Sequence, residues 1–143
     1  MSDDQTVAGD DRPPRHTVEV TVYEFVGGAA FFAALVERFY AGVMADPVLA
    51  PMYPTDDLEG ARNRLCAFLV QFWGGPDTYS QQRGHPRLRM RHAPFAIGLD
   101  ERERWMGHMR ASVQAADTNA EVKAMLLGYF ENSATAMRNQ ADR

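Results

Sequence analysis

Through "AAFFAALVERFYAGVMA", apolar side chains recur at steps of three and four, so Phe32, Leu35, Val36, Phe39, Tyr40 and Val43 share one face of a helix over residues 29 to 45. Ahead of it, "TVYEFVGG" reads as a short apolar turn or helix stopped by Gly27-Gly28, which allow positive backbone angles. Asp46-Pro47 breaks the long helix, and the prolines of "PVLAPMYPT" predict an irregular corner that carries Tyr53. A second stripe, Leu58, Ala61, Leu65, Phe68 and Phe72, predicts another helix. Thr55 would cap it, with Asp56 and Asp57 in its first turn, and Gly74-Gly75-Pro76 would end it. Residues 76 to 98 read mostly as loop with short helical turns.

Helical spacing returns in "LDERERWMGHMRASVQAA", where Asp100 and Glu103 match a capping box and Leu99, Trp105, Met106, Met109 and Val113 would face inward. A last helix opens at "TNAEVKAMLLGYF" with a second such box at Thr118 and Glu121. Its buried stripe would be Val122, Met125, Leu126, Tyr129 and Phe130, and it would run to about Arg138. Nothing alternates with the period of a strand, so the expected class is all-α: four long helices and one long irregular connection.

Composition adds boundaries. A chain of 143 residues with 45% hydrophobic content suits one compact domain. Residues 1–19, rich in Asp, Pro and Gly, predict a disordered N-terminal extension, with a folded domain over residues 20–143. A net charge of -4 argues against a general nucleic-acid or membrane-surface binder. No apolar run approaches the roughly 20 residues of a bilayer span, and the first residues lack an apolar signal-peptide core. With the single Cys66 unable to form an internal disulfide, a reduced cytoplasmic setting is expected.

The chemistry narrows by exclusion. HExxH, paired cysteines, a GxSxG elbow and a phosphate loop after a strand are all missing, and Cys66 between Leu65 and Ala67 reads as packed core. Of the four histidines, His16 lies in the extension, His85 precedes a proline, and His108 reads as a half-buried packing residue. His92 differs. In "RLRMRHAPF" it follows arginines that alternate with Leu88 and Met90, and Phe95 comes directly after. An imidazole to bind iron, apolar side chains for two flat faces and guanidinium groups for carboxylates would suit haem. A plain structural loop fits the same residues, and composition alone favours the loop.

The order Gly27-Gly28, "RFY" at 38–40, "MYP" at 52–54, "QFWGGPDTYSQQRGHPRLRMRHAPF" at 71–95 and Trp105 closely resembles the group II truncated haemoglobins, the O-type bacterial globins. The similarity spans about residues 21 to 138. It implies a truncated globin fold, a 2-over-2 α-helical sandwich around haem b. Carried over by position, it implies His92 as proximal ligand of the haem iron, and Arg64, Arg91 and Tyr79 at the propionates. It places Tyr40, Tyr53 and Trp105 as donors to the bound gas, with Ala61 and Leu65 in the distal pocket. Phe68, Phe72, Leu88, Met90 and Phe95 would line the haem.

Donors aimed at a bound diatomic ligand in a dry pocket contribute roughly 1 to 3 kcal/mol each. Two or three of them predict reversible O2 binding with slow release. The resemblance implies NO and CO as further ligands. It also implies nitric oxide dioxygenase or peroxidase-type activity drawing on an unidentified electron donor, and it is compatible with a homo-oligomer. The competing reading is a non-enzymatic helical module that holds an acidic partner or nucleic acid through the Arg83 to Arg91 segment.

Overall fold

The structure is a computed structural model that describes residues 20–84, 87, 92 and 95–140. The proposed extension over residues 1–19 lies outside the described residues. Thr21 opens helix α1, Val22–Phe25, through a reciprocal box: its hydroxyl accepts from Glu24 N, and the Glu24 carboxylate accepts from Thr21 N, both at 3.1 Å. Gly27 and Gly28, at φ 98° and 90°, turn the chain into α2, Ala29–Met44. All six residues of the first stripe are buried there, Phe32, Leu35, Phe39 and Val43 completely. Burial of such side chains stabilises by about 1.5 to 3 kcal/mol each, so α2 is the spine of the core.

After α2 comes the expected irregular corner, with one 3-10 turn over Ala50–Met52. Helix α3, Leu58–Phe72, is capped by Asp57, whose carboxylate accepts from Gly60 N at 3.2 Å; the expectation of Thr55 as cap is corrected. Both residues suit the role, and the chain enters the helix two residues later than the composition suggests. Helix α4, Thr78–Arg83, is the short turn within the long connection.

Helix α5, Leu99–Gln114, begins earlier than a box at Asp100 and Glu103 requires. Glu101 instead accepts from the N–H of Gly98 at 2.8 Å, and Asp100 pairs with Arg104. Helix α6, Ala120–Ala136, is capped by Asn119, which accepts from Val122 N at 2.8 Å, in place of the expected Thr118. Leu99 and Met125, expected inward, are 47% exposed each. Both sit at the rim of their stripe, where the apolar face turns out of the contact.

Helix α2 packs on α3 and on α5, and α5 packs on α6, giving two helix pairs joined through α2. Arg38 of α2 donates to the Ser112 carbonyl of α5, and the Ser112 hydroxyl donates to the Leu35 carbonyl, so polar groups fix the height of one helix on the other. Among the described residues there is no strand, and no helix is long and apolar enough to cross a membrane.

Candidate functional site

Between the helix pairs lies a cavity of about 370 Å³, inside the roughly 300 to 1,000 Å³ range of small-molecule and cofactor sites. Tyr40, Tyr53, Ala61, Arg64, Leu65, Phe68, His92, Phe95 and Trp105 line it, so residues read from five separate stretches of sequence meet at one place. Phe72 and Tyr79 lie outside the lining. Phe72 is 50% exposed over the Tyr129 ring, 4.2 Å between centroids, and Tyr79 is buried edge-on against Phe68. Leu88, Met90 and Arg91 fall outside the described residues, as do most of the residues of the Arg83 to Arg91 segment.

The polar rings come from three elements: Tyr40 from α2, Tyr53 from the corner and Trp105 from α5. Tyr40 and Tyr53 meet edge to face at 5.4 Å, and Phe39 carries Trp105 edge to face at 5.1 Å. The Trp105 indole N–H faces the Tyr53 hydroxyl. Burial pushes the Tyr40 hydroxyl up to about 12, partly offset by the positive charge of Arg64 and Arg62. Burial, with Tyr40 beside it, pushes Tyr53 up as well, and the nearby indole N–H of Trp105 offsets part of that. Both phenols are therefore protonated donors at neutral pH.

Ala61 and Leu65, expected as inward core, are only partly buried, because this face of α3 looks into the cavity rather than at another helix; Leu58, also expected inward, is half-buried outside the lining. Arg64 stands at the edge, 3.1 Å from the Asp57 carboxylate. Sequence reasoning missed one part of the lining: Ile97, Glu101, Arg102, Ser133 and Met137. Arg102 is held by Glu131 and by Glu103, with a side chain 12% exposed, and no local pattern sets an inward arginine apart from its neighbours in "ERERW".

The stretch after His92 is tied down from the far end of the chain. Phe95 N donates to the His92 carbonyl at 3.0 Å. The Asn139 side chain then accepts from Ile97 N and donates to the Phe95 carbonyl, both at 2.8 Å, and Asn139 N donates to the Ile97 carbonyl at 2.7 Å.

A family model described as bacterial-like globin matches residues 21–139. The group 2 truncated haemoglobin YjbI of Bacillus subtilis is 36% identical over 120 residues, covering 84% of this chain and 89% of that protein. A thermostable haemoglobin from the actinobacterium Thermobifida fusca superposes with a TM-score of 0.83 at 54% identity, covering 86% of this chain and all of that one. A truncated oxygen-avid haemoglobin from Bacillus subtilis superposes at 0.78 with 33% identity, covering 84% and 100%. The expected all-α 2-over-2 arrangement is thus borne out, and the chain belongs to the bacterial-like globin family as a group II truncated haemoglobin.

Proposed function

We propose that this chain is a cytoplasmic haem-b protein that binds O2 reversibly, releases it slowly and oxidises nitric oxide to nitrate. One observation carries the reading: three polar rings from three elements converge in an apolar cavity that His92 also lines. The residues fit haem. His92 offers an imidazole to the iron, Phe68, Leu65 and Phe95 offer apolar surface to the porphyrin faces, and Arg64 at the edge suits a propionate. The relative described as oxygen-avid supports the affinity half of the proposal.

Bound haem supplies an iron that takes a diatomic ligand. The chain's own residues do the rest. Trp105 Nε1 and the Tyr40 and Tyr53 hydroxyls are donors to the negative charge that such a ligand gathers, and their buried setting makes each worth more than in water. Ala61 leaves room beside them and carries no competing imidazole. Nitrate formation consumes one O2, one NO and one electron. That electron is drawn from an unidentified donor.

Peroxidase-type oxidation is the second reading. Ring contacts run from Trp105 through Phe130 at 6.0 Å to Tyr129 at 5.4 Å, so two oxidisable side chains, Trp105 and Tyr129, stand in the cavity wall.

Absorption spectra of the purified protein, reduced and then given O2 or CO, test the assignment. A Soret band that shifts between the three forms is expected, followed by NO consumption with nitrate as product when a reductant is supplied. A protein that takes up no added haemin overturns the reading.

A further inference from the structure

The two donors that face each other, Tyr53 and Trp105, belong to different elements, and a single carboxylate ties those elements together. Asp46 begins the corner and is 7% exposed. Its Oδ1 accepts from Val48 N at 2.9 Å and Leu49 N at 3.3 Å, and its carbonyl accepts from Ala50 N at 2.9 Å, so it organises the turn that ends in Tyr53. From α5, Arg104 donates to the same Oδ1 at 3.2 Å, and the His108 Nε2 lies 2.8 Å from Oδ2.

Arg104 is the neighbour of Trp105, and His108 stands one turn beyond. Asp100 holds the other side of Arg104, Nε to Oδ2 at 3.0 Å. The His108 ring is wedged against the backbone of α2: a Cβ on Gly42 would lie 2.6 Å from its Nδ1. By local pattern alone, Asp46 reads as a helix stop and His108 as a packing residue.

We infer that Asp46, with His108 and Arg104, is a positioning latch that sets the alignment of Tyr53 against Trp105 and thereby the rate at which a bound diatomic ligand leaves. The latch rests on the donor reading proposed above. None of its members lines the cavity, so it acts through the corner and through the turn of α5. Its carboxylate is ionised throughout the neutral range, since the His108 hydrogen bond holds it down at about 2. Gly42 is part of the same device, because any larger residue there displaces the imidazole.

The test uses the full-length haem-loaded chain and four variants. Asp46→Asn keeps an oxygen for the Val48 and Leu49 N–H groups while removing the charge, and Gly42→Ala moves His108 without touching any charge. Arg110→Gln breaks a different ion pair of α5, the 2.6 Å contact with Glu131, and controls for loosening of the helix pairs. Trp105→Phe is the benchmark. The readouts are the infrared C–O stretch of the carbon monoxide complex, O2 release by stopped flow, and the indole N–H nuclear resonance of Trp105.

Asp46→Asn and Gly42→Ala are expected to shift or split the C–O band and move the indole resonance. They should speed O2 release about threefold to tenfold, the scale of a partly lost hydrogen bond. Arg110→Gln should leave all three readouts in place. The latch is overturned if Trp105→Phe moves the readouts and neither latch variant does, or if Arg110→Gln moves them equally. A silent Trp105→Phe overturns the donor reading and the latch with it.

Discussion

Two stretches of the cavity wall are held by different forces. Tyr40, Tyr53 and Trp105 are supported by several edge-to-face ring contacts, at 5.1 to 6.0 Å, with Phe39 and Phe130 behind them. Each such contact contributes about 0.5 to 1.5 kcal/mol beyond burial, so the cluster is redundant. The stretch after His92 is tied to the far end of the chain by directional hydrogen bonds, three from Asn139 and one from Gln140 N to the Ile97 carbonyl at 3.1 Å. Redundant packing fails by degrees, whereas a few directional hydrogen bonds fail more sharply. The two stretches should therefore respond to substitution on different scales.

The largest effect should come from His92→Leu, which removes the one imidazole that lines the cavity among the described residues. Haem retention on a desalting column should collapse, while His108→Leu retains haem; equal loss in both would show a general folding defect. Next comes Asn139→Ala. Ile97, 9% exposed, would be left with an unpaired N–H, and the cost should be about 1 to 3 kcal/mol of stability in denaturant titration, with faster haem transfer to an acceptor. Asn139→Asp, which retains the acceptor and loses the donor to Phe95, should fall between.

Trp105→Phe probes the redundant stretch. Most of the apolar area survives, so stability should change little, and O2 release should quicken by about tenfold, the equivalent of roughly 1.4 kcal/mol. Arg64→Leu should do less still. Its pair with Asp57 is exposed, and such pairs are worth about 0 to 1 kcal/mol, so haem affinity should fall only slightly.

The smallest effect should come from alkaline pH. Tyr40 titrates near 12 when folded against an ordinary 10.0. Its contribution to stability is then complete below pH 10 and lost as pH climbs toward 12. O2 release should stay flat from pH 7 to about 10 and accelerate only above, when the phenolate stops donating.

Much of this was legible in the chain. The α2 stripe was read residue for residue, because a helix buried on two sides writes its period strongly. Caps were read one or two residues off at α3, α5 and α6, since several polar residues crowd each helix start and the tertiary contact selects among them. The face of α3 was read as core because a cavity for a flat apolar group and a packed core use the same side chains. The residues around the cavity came from the family resemblance; spacing alone left His92 beside a plain loop. The Asp46 cluster was illegible for a simpler reason: its partners lie 58 and 62 residues away, and local pattern carries no such information.

The Asn139 tether also bears on the order in which the molecule matures. It joins residues 42 and 44 positions apart, and such distant contacts form late, after the closure entropy of the intervening chain has been met. During synthesis the Asn139 hydrogen bonds to the stretch after His92 form only once α6 has emerged and docked, since domains are delivered from the N-terminus onward. Stable haem capture therefore belongs at the end of biogenesis, after α2 and α3 have already assembled the opposite side of the pocket.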